Sequence, residues 1–478
     1  MVIGLLAWGL ARPEQVETEP SAPTNGPPIP SESASILRSE DVIYDFENAF
    51  FLAGCGPTEP IAATPGAIDL TPLGLEIGPI AADVEALRDL DFERLPRLEL
   101  LSEDELIAKT TELYEKEESP EELADSEAML KLLRLIDQDV DLSSIVKEAV
   151  TTQIEAFYMP KNETIFAPAK ARDDLTPLEE VVLAHELEHA LADQTLKLPI
   201  QEKLDPATSD QELAARALVE GDATLLMQQY AIAALDPDER NSFLEEAAGL
   251  QTETGDLPYI LQRSIAFPYH EGLLFVCNLY KSGGWEAIDA AYRNPPRSTA
   301  EILFPERYGD DKKVVNPPDP PTLRGWEHRS TPSFGAADLL LMLEAPNGEP
   351  TGRPFDTVFD VARWGGGELH IYKRSDDYAI RISLIDDASR AIAPFQDTLC
   401  EPLRDWVTYA FEPLLGLSTT NDRLMVWKHR GLFILLWCGQ VEPRRPVNLV
   451  IAPDVASGKA LIGSASRYLP RPLSSPSG

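Results

Sequence analysis

The sequence predicts an α+β fold, on three observations. Capped helical signals fill residues 41–150 and most of the chain on to about 292. One isolated hairpin signal interrupts them at 154–168. The last part, roughly 336–470, alternates helices with β-rich runs joined by short turns. The expected organisation is a disordered tail (1–40), an acidic helical region (41–150), a mainly helical central domain with a small edge hairpin (151–335) and a C-terminal antiparallel α+β module (336–470).

Each element has a local reason. "SEDELIAKTTELYEKEE" and "SPEELADSEAMLKLLRLID" open with Ser and carry Glu three residues on, the capping-box signature, before apolar residues at helical spacing. "QIEAFYMP" and "ETIFAP" are β-rich runs about the turn "KN". In "TPLEEVVLAHELEHALADQ", Thr176 caps a helix, Pro177 suits its first position and Glu179 completes the box. "TSDQELAARALVEGDATLLMQQYAIAAL" reads as a second helix from a Ser209 cap and Glu212 box to about Leu235. Residues 293–335 are Pro-rich and predict a long wrapping connection. Beyond it, "AADLLLMLEA" and "SRAIAPFQDTLCEPLRDWVTYAF" read as helices, and "ELHIYKR", "YAIRISLI", "RLMVWKH" and "LFILLWC" as strands, the last two joined by "HRG".

Composition bounds the function. The chain has 478 residues, is 44% hydrophobic and 25% charged, and carries a net charge of −39. That surface repels nucleic acid and anionic membranes, which excludes binding to a phosphate backbone. Residues 1–150 hold 32 acidic against 10 basic residues, a solvated acidic face. The four cysteines, Cys55, Cys277, Cys400 and Cys438, lie far apart without a CxxC pair, so neither a metal knuckle nor a dense disulfide framework is expected; one pairing in an oxidising compartment and four free thiols both remain open. "MVIGLLAWGL" is too short to span a bilayer and lacks a basic start, and a Pro/Ser/Glu-rich tether follows it. The pair reads as the end of an export or anchor segment, which favours an exported or envelope-associated protein over a cytoplasmic one. "FLAGC" mimics a lipoprotein box, but its acidic approach makes that coincidence. No other segment is expected to cross a membrane, and oligomeric state is not legible.

The chemistry sits in "HELEH". His185 and His189 are four apart, so both imidazoles project from one helix face and can grip one ion. Glu186 lies beside them, where a general base reaches an open coordination position without being a ligand. Glu220, among Ala, Val and Gly in "ALVEGDAT", is a third ligand candidate, since an enclosed carboxylate must be paired or bind metal. Gly221 costs the helix about 1 kcal/mol relative to Ala, which implies a packing or site reason. Asp222 is about 200° round the helix from Glu220 and is expected to make a helix-to-loop contact rather than to be a ligand. Pairing of Glu220 with Arg216, and Asp193 meeting a ligand or Arg216, are further expectations. His328, His370 and His429 have no ligand spacing. Trp285 reads as a structural residue or a cleft lining.

At these residues the sequence resembles a gluzincin-type HExxH zinc metallopeptidase, and within that group a bacterial, largely uncharacterised putative metallopeptidase family. The matching segments are "AFYMPKNETIFAP", "HELEHALADQTLKL", "ALVEGDATLLMQQY", "FPYHEGLLFVCNLYKSGGWEAIDAAYRNPPRSTAEILFPERY" and "VARWGGGELHIYKR", together covering about residues 155–375. Ala192 stands where such sequences often have Gln, and Phe304 where they often have His. The 31 positions from His189 to Glu220 exceed the compact thermolysin-like spacing, so "TLKLPIQEKLDPATSD" must loop out.

The resemblance implies a zincin-like catalytic domain binding one Zn2+ through His185, His189 and Glu220. It implies hydrolysis of peptide or protein substrates by zinc-activated water, with Glu186 as base. Tyr269 and His270 are the candidate oxyanion donors, and the resemblance favours Tyr269. The hairpin offers an edge strand for an extended peptide. Two other functions fit the sequence: a non-catalytic envelope-associated scaffold on the same fold, and a zinc hydrolase of a non-peptide amide.

Overall fold

In the computed structural model the described residues are Cys55 and 77–463, apart from 118, 153–155, 170–174, 199–207, 252–256, 312, 351–353, 393–397, 413–414, 422 and 441–442. The expected N-terminal tail, the "FLAGC" approach and the end of the C-terminal module beyond 463 lie outside them. The fold is mixed α+β with two sheets.

Four helices from the acidic segment serve three different cores. Helix α1 (Ile77–Arg88) buries Ile77, Ile80, Ala81, Val84 and Leu87 against the central helices. Strand β1 (Arg97–Leu101) then leads into α2 (Glu103–Glu117), whose Leu106 and Leu113 cover the small sheet. Helix α3 (Pro120–Leu132), with the Ser119–Glu122 box formed as expected, and α4 (Leu142–Thr152) deliver Leu130 and Leu142 to the C-terminal core. The hairpin forms as β2 (Phe157–Met159) and β3 (Thr164–Pro168), antiparallel about a turn in which Glu163 has φ 50°. Strand β1 pairs parallel to β3, giving the order β1-β3-β2. The helical reading of 41–150 missed β1, because "RLELL" is only five residues and alternation that short is weak.

Four helices build the centre. Helix α5 (Pro177–Thr195) starts with the expected Thr176–Glu179 box. Helix α6 (Ser209–Ala233) is capped by Thr208, one residue before the expected Ser209, whose hydroxyl instead meets Ser333 at 2.7 Å. Helix α7 (Pro237–Gln251) follows, then α8 (Tyr259–Arg293), which is broken at Gly283–Gly284. Gly284 has φ 64°, a conformation that only glycine adopts at little cost. Helices α6 and α8 cross glycine on glycine: a methyl group on Gly221 would overlap the Gly272 carbonyl, and one on Gly272 the Ala217 carbonyl. The suspected packing reason for Gly221 is this contact.

After the short α9 (Thr299–Leu303), the Pro-rich connection leads to β4 (Glu327–Ser330), α10 (Ala336–Glu344), α11 (Pro354–Asp360), β5 (Trp364–Arg374), β6 (Asp377–Asp387), α12 (Cys400–Ala410), β7 (Leu415–Asn421), β8 (Leu424–His429), β9 (Leu432–Cys438), β10 (Arg444–Ala452) and α13 (Val455–Ile462). The sheet order is β4-β5-β6-β10-β9-β8-β7, antiparallel throughout. Four of these strands match the expected runs. Central β10 was not anticipated, because Pro446 inside it argues against a central strand. The long helix expected at 389–411 is shorter: residues 388–390 form a separate turn, and α12 begins at Cys400.

Both cysteine pairs are at disulfide distance: Cys55–Cys277 with Cα atoms 5.8 Å apart, and Cys400–Cys438 at 6.2 Å. Two pairings thus replace the single one the spacing left open, and such bonds persist in oxidising compartments. Among the described residues no helix is long and apolar enough to cross a membrane. Substituting Gly221 by Ala should lower stability by about 1–3 kcal/mol through overpacking, although helix propensity alone favours Ala. A urea unfolding midpoint at or above the wild-type value would contradict the glycine crossing.

Candidate metal centre

The expected residues converge. In α5, His185 and His189 lie one helical turn apart on one face, with ring centroids 4.6 Å apart and planes nearly perpendicular. Glu220, mid-way along α6, directs one oxygen to both: His185 Nε2 and His189 Nε2 each lie 3.4 Å from Glu220 Oε2. These three are the one group of His, Cys, Asp or Glu with metal-ligand proximity among the described residues, with donor atoms all within 4.8 Å of one another.

Is this a salt bridge or a ligand set? A separation of 3.4 Å is long for a charge-assisted hydrogen bond. It matches the roughly 3.3–3.4 Å between ligands of a tetrahedral ion with bonds near 2.0–2.1 Å. Moreover, both Glu220 oxygens are buried without a hydrogen-bond partner of ordinary geometry. Buried carboxylate oxygens are rarely left in that condition, and a cation among the three side chains would satisfy them. The residues therefore fit a zinc ion with two nitrogen ligands and one oxygen ligand, leaving a position open.

Burial shapes the charges. It disfavours ionised Glu220, yet His189 and His185 outweigh it and hold this carboxyl well below its usual range. Burial likewise opposes a charged His189, but Glu220, then Glu186 and Glu188, raise it to about 9. Glu186 moves the other way. Burial lifts its carboxyl above the ordinary range, with Glu220 adding, while His189, His185 and the Tyr158 N–H oppose.

Strand β2 holds Glu186, the candidate base. Tyr158 N–H donates to Glu186 Oε2 at 2.7 Å, and Tyr158 O–H donates to Asp193 at 2.9 Å, two turns further along α5. The expected edge strand is thus pinned to α5 at both ends of one residue, and Asp193 meets Tyr158. Tyr269, from α8, stacks 6.1 Å from the His185 ring. Burial, then Glu220 and Glu186, push its phenol well above the ordinary range, with Arg216 opposing. His270 turns aside, with Nδ1 3.4 Å from Glu271, so of the two candidates Tyr269 faces the ligands.

Other readings resolve structurally. Ala192 is fully buried in the core, and Phe304 packs beneath the Arg307 guanidinium at 3.9 Å. Trp285 lies against Arg88 and Tyr280, so it is structural. His328 and His370 lie side by side on β4 and β5 of the C-terminal sheet, ring centroids 5.7 Å apart and tilted. The middle of the loop expected at 195–210 lies outside the described residues. Sequence reasoning missed Tyr158, Glu188 and Arg88; the first two adjoin the motifs, whereas Arg88 has no local signal. The chain matches no protein-family model, and no curated protein or solved structure is significantly similar to it.

Because His189 is raised from 6.5 to about 9 in the metal-free protein, its pairing with Glu220 stabilises the fold fully below pH 6.5 and ceases to as pH rises through 9. Thermal unfolding of chelator-treated protein should therefore show a midpoint lower at pH 9.5 than at 6.5. Glu220→Gln should flatten that dependence, and an equally steep fall in the variant would contradict it.

Proposed function

We propose that the protein is a zinc-dependent metallopeptidase of the gluzincin type, with a zincin-like central domain. The observation that carries this reading is the shared 3.4 Å spacing of two histidine nitrogens from one buried Glu220 oxygen. His185, His189 and Glu220 would hold the ion. When bound, zinc supplies Lewis acidity, easing ionisation of water near neutral pH and polarising the scissile carbonyl.

The remaining work falls to side chains of this chain. Glu186, buried and raised, takes a proton from the attacking water and returns it to the leaving amine. Its orientation is set by the Tyr158 N–H, which leaves the second carboxylate oxygen for the proton. Tyr269, a phenol protonated at neutral pH, donates its O–H to the developing oxyanion. Export, or an envelope location, is the compartment we propose, supported by the two cystine pairs.

Elemental analysis of purified wild type should find about one zinc per chain, the count for a single HExxH site. His185→Ala and Glu220→Ala should lose it. An unfolded protein such as reduced casein should be cleaved by wild type, and Glu186→Gln should keep zinc while losing cleavage. Zinc-free wild type overturns the reading, and zinc-loaded wild type that cleaves nothing favours the scaffold. In Tyr269→Phe, kcat should fall about 100- to 1000-fold with KM little changed. An unchanged kcat would remove Tyr269 from the mechanism.

A further inference from the structure

A second buried charge cluster stands against the ligand helices. Arg88, the last residue of α1, is fully buried. Its Nε donates to Glu188 at 2.9 Å, and its Nη2 donates to Asp289 at 2.8 Å and to Asp222 at 3.3 Å. The guanidinium also lies 4.4 Å over the Trp285 ring. One cation therefore joins four stretches: α1, α5 through Glu188, α6 through Asp222, and the part of α8 beyond Gly284 through Trp285 and Asp289. The glycine break serves this meeting, because it turns the end of α8 away from its original axis.

The positions of the two inner acids give the cluster its meaning. Glu188 immediately precedes His189, and Asp222 follows Glu220 by two residues, so each helix that carries a ligand also carries a tie to the same guanidinium. Both acids are fully buried. A side chain anchored off the ligand face fixes the rotation of its helix about the axis. Rotation matters, because a functional constellation tolerates only about 0.5 Å or 10–20° of error. A planar fork sets two acids at a defined separation, which an ammonium cannot do.

We infer that Arg88 is a positioning residue for the metal centre: by holding Glu188 and Asp222 on one guanidinium, it sets the rotations of α5 and α6 that aim His189 and Glu220 at one point. The centre then requires a segment, 77–88, nearly 100 residues before the motif. This inference rests on reading His185, His189 and Glu220 as a zinc site.

The test uses the full chain with zinc and cobalt alone as probes. Zinc affinity is measured by competition with a chromophoric chelator, and ligand geometry by the visible absorption of the cobalt-loaded protein. Arg88→Lys keeps the charge and loses the fork. It should stay folded, bind zinc about 10- to 100-fold more weakly and show an altered cobalt band. Arg88→Met should be weaker still; if it does not fold, Arg88→Lys decides. Arg363→Met, which breaks a buried pair with Asp386 in the C-terminal sheet, should lower the unfolding midpoint while leaving zinc affinity and the cobalt band unchanged. A folded Arg88→Lys with zinc affinity within twofold of wild type and the same cobalt band overturns the positioning role while leaving the zinc site standing. Failure of wild type to bind zinc removes the zinc site itself, and the inference with it.

Discussion

A carboxylate buried to the degree of Glu220 constrains everything around it. Removing such a charge from water is expensive, and only close counter-charges offset the cost. The counter-charges come from the neighbouring helix, so α5 and α6 must lie side by side with His185 and His189 turned towards the acid. The glycine crossing of α6 and α8 then brings Tyr269 over the same spot. Remove the carboxylate, and two histidines one turn apart on a buried face have no shared partner.

The same logic recurs away from the site, since the core of this acidic protein is polar at its joints. Arg263 binds Glu271 within α8 and Glu344 of α10, and Tyr259 donates to Glu344 as well. Asp210, at the start of α6, accepts from the Thr299 N–H and hydroxyl, while its own N–H donates to Ser333. Thr299 in turn accepts from the Ala337 N–H. These contacts lock the central helices to the first helix of the C-terminal module. Directional bonds of this kind specify one relative placement, which apolar contact alone does not.

The acidic N-terminal segment takes its place in this scheme by distribution. Its helices pack on the central helices, on the small sheet and on the C-terminal core in turn. Two of its charged side chains go inward: Arg88, where three acids await it, and Asp125 of α3, which accepts from Arg329 and from the Tyr378 hydroxyl of the C-terminal sheet. Apolar residues and these two buried charges tie the described part of the segment to the rest of the fold.

Much of this was legible in order along the chain. Capping boxes at Ser119 and Thr176, the hairpin about residues 160–163, the ligand pair in "HELEH" and the isolation of Glu220 all depend on neighbours within a few residues, where propensity and periodicity act. The sequence alone determined most of the helices and four strands of the large sheet, the acidic composition and the three residues able to bind an ion. It could not determine that β1 joins the hairpin, that Pro446 sits in a central strand or that Arg88 reaches Glu188 and Asp222. Those are pairings across roughly 60–130 residues, decided only when burial forces distant polar groups to find each other. Tertiary structure therefore decided which of two aromatic candidates faces the ligands, and what stands behind them.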